Sequence, residues 1–245
     1  MKILRWWAAP AAVMATTLVA ACGGGNSGVY SSASPTAARA AASSPPATAG
    51  SPPAMAALAR QMKAVVAKAT SVHVTAAVSQ GGPHVTFALS LTRANDLYGQ
   101  MSYQNKPFTV LVTQGHTYIK VTAATLKAMG LPSAACVLMC NKYLKMSARQ
   151  SRGMTGRLDW PNLVGSSHSL PPLRYVRATT VHGQPAWEVR AGSVSTVYLA
   201  AQGHPYPLRV VGGPGRIDFT QWNSVTIPPP PPASQVVDIS QLKHL

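Results

Sequence analysis

Carboxylates are the scarcest chemistry in this chain. Its 245 residues hold 21 Lys and Arg against five Asp and Glu, for a net charge of +16. Asp96, Asp159, Glu188, Asp218 and Asp238 fall in separate predicted elements, so no carboxylate pair for acid–base work can be assembled from the pattern. Cysteine is nearly as scarce, with Cys22, Cys136 and Cys140 only. Cys136 and Cys140 have neither a second cysteine pair nor nearby histidines, which argues against zinc. The seven histidines are scattered, and no two stand at metal-ligand helical spacing. "SSHS" at 166–169 lacks the Gly-x-Ser-x-Gly setting of a hydrolase nucleophile. The Gly-rich stretches are not followed by the Lys-Ser/Thr of a phosphate loop. Neither catalysis nor a metal or cofactor is therefore expected. Phe occurs three times, so a core must be built from Val, Ala, Leu and Met.

What is present begins at the N-terminus. Lys2 and Arg5 precede the uncharged apolar run Trp6–Ala21, which ends in Ala20 and Ala21. Basic, apolar, then small is the layout of a secretory signal. At 16 residues the run falls short of the roughly 18–20 needed to span a bilayer. Val19-Ala20-Ala21-Cys22 resembles a bacterial lipobox. That resemblance implies acylation of Cys22, cleavage before it, and a lipid anchor on the extracytoplasmic face of the cell membrane. The alternative is an ordinary signal peptide cut near Ala21, or a short anchor. Two or more acyl chains hold firmly where one holds marginally. Lipidation of Cys22 would also account for the odd cysteine count. Cys136 and Cys140 are then expected to form a disulfide in an oxidising space, the alternative being two buried thiols.

Residues 22–52 read as a lipidated cysteine and a disordered Gly/Ser/Ala/Pro tether, in which Arg39 is the single charge. A single domain follows over 53–245. Residues 53–69 show Met55, Leu58, Met62, Val65 and Val66 at helical spacing. After Thr70 the period becomes two. "SVHVTAAVS" and "HVTFALSLT" flank a Gly81-Gly82-Pro83 turn, a hairpin signal. Further strands are expected at 97–104, 108–114, 117–122, 173–181, 185–191, 194–200, 206–211 and 215–220. A short helix over 123–129 would end at Gly130. Residues 141–165 read as basic and irregular, partly helical, and "PPPPP" at 228–232 cannot be a central strand.

About ten antiparallel strands and one helix pose a packing problem. One 17-residue helix, about 25 Å long, cannot cover the apolar face of ten strands. Either the sheet packs on itself as a dry sandwich, or it curls round the helix and leaves a cavity. Alternation places Val72, Val74, Phe87, Leu89, Leu91, Met101, Val110, Val112, Ile119 and Val121 on candidate inner faces, although a one-residue slip would flip a strand.

The succession of lipobox, tether, amphipathic helix, "SVHVTAAVS", "LVTQGHTYIK", "NKYLKMS", "VHGQPAWEVR", "YLAAQGHPYPLRV" and "IDFTQWNSVTIPPPP" resembles the LppX and LprG group of actinobacterial lipoproteins. Their fold is similar to that of the LolA lipoprotein carriers. The resemblance implies an α+β fold in which a strongly curved antiparallel half-barrel wraps an N-terminal helix and a helical or irregular insert. It further implies an apolar cavity that binds acyl lipid or lipoglycan, in a carrier or chaperone role. The alternative from another class is a packed surface or sensor lipoprotein with no lipid ligand. Between Asp96 and Asp159 there are eight Lys/Arg and no acid, and Lys142, Lys145, Arg149, Arg152 and Arg157 crowd the insert. Export and few interleaved aromatics argue against nucleic acid. Anionic headgroups or wall polymers are the expected polyanions, and a merely solvated face is the alternative.

Overall fold

The computed structural model describes residues 51–239, apart from 53, 79–83, 104, 129–132, 148, 150, 152–157, 165–170 and 213–214. The signal segment, Cys22, the tether through residue 50, the turn at 81–83, Gly130, Arg152 and Arg157 lie outside the described residues.

Helix α1 (Met55–Lys68) buries Leu58, Met62 and Val66, the stripe its spacing dictates. Lys68 in its last turn suits the helix dipole. Five strands follow as a meander: β1 (Ser71–Val78), β2 (Val85–Thr92), β3 (Leu97–Tyr103), β4 (Lys106–Thr113) and β5 (His116–Val121). Helices α2 (Ala123–Ala128) and α3 (Ala135–Met139) lead to β6 (Tyr143–Met146), and helix α4 (Trp160–Val164) comes next. A second meander contains β7 (Leu173–Val181), β8 (Gln184–Ala191), β9 (Ser195–Ala200), β10 (Pro207–Gly212) and β11 (Gly215–Thr220). A 3-10 turn at Ala233–Gln235 precedes β12 (Val236–Asp238).

All twelve strands form one curved, unclosed sheet, ordered β12-β6-β5-β4-β3-β2-β1-β11-β10-β9-β8-β7. The ten expected strands are present. The two others, β6 and β12, have four and three residues, too few for alternation to register. Every neighbouring pair is antiparallel except β12–β6, which is parallel. The tight connections expected to give antiparallel neighbours do so. The exception arises because β12 arrives from across the molecule after the proline run.

Local chemistry fixes the turns. Gln114-Gly115 and His182-Gly183 both have positive φ at two successive residues, the two-residue turn that matches strand twist. Gly99 has a different role. A Cβ there would stand 2.0 Å from the Ala88 carbonyl oxygen and 2.9 Å from the Leu89 Cα, so β2 and β3 can approach only because a side chain is missing.

The order has a topological consequence. β6 lies beside one edge and β7 forms the other, so residues 147–172 must carry the chain between them. Of its described residues, Leu158 and those of α4 lie against the inner face of the sheet.

Candidate functional site

Register decides which side chains share a face. Val74 pairs with Leu89, Leu89 with Gly99, Gly99 with Val110, Val110 with Ile119, and Ile119 with Leu144. Phe87 pairs with Met101, Met101 with Phe108, and Phe108 with Val121. Val72 pairs with Leu91, Leu91 with Leu97, and Leu97 with Val112. Directly opposed residues point to one side of a sheet, so all ten predicted inner-face residues share one face. Eight of them belong to one apolar cluster, and Ile119 and Val121 to a neighbouring one at the β5–β6 end.

The two halves of this face are roofed differently. Over β7–β9, α1 packs Leu58, Met62 and Val66 against Leu173, Trp187, Val189, Val197 and Leu199. Over β1–β4 the described roof is Leu158 and α4, with Trp160 buried against the sheet. The resemblance implied a helical or irregular insert inside the sheet, but the residues that make this second roof were not singled out. Its signal was present in "LDWPNLV": Asp159 caps α4 by accepting the Asn162 backbone N–H at 2.9 Å, and Pro161 follows in the first turn. The Trp160 backbone N–H donates to Asn95 Oδ1 at 3.2 Å, which ties the roof to the β2–β3 turn.

An aromatic group stands where the two halves meet. Trp222 stacks on Tyr206, with centroids 4.7 Å apart, and on Phe219 at 5.9 Å, and it meets Trp160 edge-on at 6.3 Å. Its indole N–H donates to the Pro207 carbonyl at 3.0 Å. The Asn223 amide donates to the Tyr206 hydroxyl at 2.8 Å and accepts from the Thr70 backbone N–H, also at 2.8 Å. Two cavities flank the 201–206 loop and share His204 and Tyr206 as walls. One, about 340 Å³, reaches Phe219, Leu208 and Trp222, and the other, about 370 Å³, lies beside Ala64, Val65 and Lys68 of α1. Each is at the lower end of the roughly 300–1,000 Å³ usual for small-molecule sites. None of the ten predicted residues lines either cavity. Val72, Val74, Leu89 and Val110 are instead fully buried.

The outer face carries charge in one line. Thr75, Asp218, Arg209, Tyr198, Glu188 and Arg177 oppose one another from β1 to β7. Asp218 accepts from Arg209, Arg216 and His182, and Arg209 also lies over the Tyr198 ring at 6.0 Å. Burial alone would raise the Asp218 carboxyl, but the hydrogen bonds from Arg216 and Arg209, the Arg209 charge and the His182 contact outweigh it. They hold that carboxyl below the ordinary carboxylate value. His182 stands in the β7–β8 turn, three strands along from β11, so the sheet is strongly coiled at this end.

At the opposite end Cys136 and Cys140 are disulfide-bonded, with Cα atoms 4.6 Å apart. The bridge and Met139 pack inward beside Val121, Leu126 and Leu144. Lys142 is exposed just after the bridge, Lys145 is half-buried opposite Tyr118, and Arg149 is exposed. Among the described residues, no three His, Cys, Asp or Glu side chains are grouped to hold a metal, and no helix is long and apolar enough to cross a membrane.

This half-open, helix-lined sheet has a match among solved structures. The chain has the fold of LprF. The superposition on LprF from Mycobacterium bovis has a TM-score of 0.52 at 13% identity and covers 71% of this chain and 95% of that one. MucB aligns at a TM-score of 0.33 and 16% identity, with 71% of this chain and 60% of MucB covered. A DUF1329 family protein from Desulfovibrio piger aligns at 0.26 and 9% identity, over 68% and 90% of the two chains. No family model and no curated protein matches the sequence. The LprF fold accounts for the α+β class expected from the sequence, and at such low identity it carries no ligand with it.

Proposed function

We propose that this protein is a lipid-anchored extracytoplasmic lipoprotein that binds an acyl lipid or lipoglycan against the inner face of β1–β5, as a carrier or chaperone rather than as an enzyme. One observation carries the reading. The inner face of this half is a continuous field of Val, Leu, Met and Phe, and its described roof is Leu158 and a five-residue helix, where the other half has the 14-residue α1. A broad aliphatic face suits a ligand whose own chains are aliphatic. Acyl anchoring through Cys22 and anionic headgroups near Lys142, Lys145 and Arg149 belong to the same reading. So do Arg152 and Arg157.

The test uses residues 23–245 exported behind an ordinary cleavable signal, purified without detergent and extracted for mass spectrometry, then titrated with a brominated fatty acid. Acyl lipid should co-purify. Bromine should quench Trp160 and Trp222 more than Trp187, which is buried beneath α1; single Trp→Phe variants assign the signals. Absence of both lipid and quenching would sink the reading. The second reading is a packed surface or sensor lipoprotein, favoured by the complete burial of Val72, Val74, Leu89 and Val110.

A further inference from the structure

We infer that the disulfide-closed turn at Cys136–Cys140 is a membrane-docking knuckle, which seats the rim of the sheet on an anionic lipid surface through Val137 and Leu138. The turn has two unlike faces. Cys136, Met139 and Cys140 pack onto Val121, Leu126 and Leu144. Val137 and Leu138 point the other way and are 86% and 59% exposed. The bridge holds these two aliphatics outward, on a helix of five residues that would be marginal alone.

Charge names the partner. Lys127 in the last turn of α2 and Lys142 after the bridge are both exposed. Lys120, over the Tyr143 ring at 5.5 Å, and Lys145 lie on the adjoining strands but on the opposite face from Val121 and Leu144, so the charge beside the knuckle itself is that of Lys127 and Lys142. No acid occurs in the sequence between Asp96 and Asp159. Asp238 is the one carboxylate the sheet brings here, opposite Lys145. Size decides between a bilayer and a protein. A stable protein interface buries about 800 Å² per partner in a shape-matched patch, far more than two side chains provide. A bilayer demands no shape match. It takes a small apolar protrusion into its interface while anionic headgroups meet the surrounding lysines. The knuckle sits beside the β5–β6 end of the inner face, so docking would bring that face to the membrane. The inference deepens the carrier reading by naming the surface visited, but it does not depend on bound lipid.

The experiment is flotation of the same secreted chain, residues 23–245 freed of the signal segment and of Cys22, with vesicles of phosphatidylcholine alone, or of phosphatidylcholine mixed with phosphatidylglycerol. Binding should require the anionic lipid and weaken with salt. Val137→Ser/Leu138→Ser should bind roughly tenfold more weakly or worse, with unchanged melting, because those side chains are exposed. A Leu138→Trp variant should show a blue-shifted emission on anionic vesicles and quenching by brominated lipid. Full binding by the double Ser variant, or an emission from the Leu138→Trp variant that stays unshifted on bound vesicles, overturns the knuckle; capture by a protein with no vesicle binding does so as well. Uptake of the brominated fatty acid is measured on the same preparations. Docking without uptake refutes the carrier reading alone, and uptake without docking refutes this inference alone.

Discussion

Asp218→Asn removes one negative charge and leaves two guanidinium groups and the His182 ring round a neutral amide. Its cost can be worked from exposure. Arg209, 20% exposed, makes the better-buried contact, and a hydrogen bond to a charged group is worth about 1.5–3 kcal/mol. Arg216 is 52% exposed, so its share falls to the 0–1 kcal/mol or so of a surface pair. The sum, about 1.5–4 kcal/mol, falls at or below the roughly 3–5 kcal/mol for breaking a fully buried pair. For a domain of this size that is a fall in Tm of roughly 3–16 °C. The sign with pH follows from the depressed carboxyl. A group whose folded-state pKa lies below its unfolded value of about 3.9 stabilises fully above that value, and the contribution is lost as pH falls through the folded value. The gap between wild type and variant should therefore be present at neutral pH and narrow in acid as the Asp218 carboxyl is protonated. His73, whose ring is pushed down by burial, titrates in both proteins and cancels in the difference. Thermal unfolding followed by circular dichroism between pH 3 and 8 is the assay. A variant melting within about 1 °C of wild type at neutral pH, or a gap that fails to narrow in acid, would refute the reasoning.

Gly99→Ala should lower stability by about 1–3 kcal/mol or more, because its Cβ meets backbone that cannot rotate away; chemical denaturation measures it, and a change under about 0.5 kcal/mol would show that the strands can part cheaply. Val112→Trp, between Leu97 and Thr117 on the inner face, should reduce uptake of a fluorescent fatty acid while leaving melting near native. In a dry core the same change would overpack by about 1–3 kcal/mol and alter no binding, and that result would favour the packed reading. Cys22→Ala should leave the precursor uncleaved at this site and free of acyl chains, as read by intact mass; a mutant that still carries the lipid mass would refute the anchor.

The strands were legible because alternation is strict where one face is buried. "SVHVTAAV" and "VTFALSLT" leave little freedom of register, and Val74 opposite Leu89 is the consequence. β6 and β12 escaped because "YLKM" and "VVD" are shorter than one repeat of the pattern can reveal, and because a partner from the far end of the chain leaves no local trace. The inner face was legible residue by residue. Its second roof was expected as a helical or irregular insert, but not residue by residue: Leu158 and Trp160 sit in a basic stretch with no period, and only the Asp-Trp-Pro start of α4 marked them. The cavities beside His204 and Tyr206 were illegible for another reason, since they depend on where a loop after β9 meets the end of α1.

The sheet is two contiguous meanders joined at an internal border, where six residues of β1, His73 to Val78, pair with β11, and again at one edge, where β12 pairs with β6. Each meander closes by short loops and can form early, whereas the border links residues more than half the chain apart and must form late. The connection over 147–172 is then a tether that keeps the second meander at high effective concentration near the first. Severed within that connection, the protein would become two fragments, one offering β1 and β6 and the other β11 and β12. Reassembly would depend on fragment concentration, and the long open strands β1 and β11 would be the places where separate molecules exchange halves.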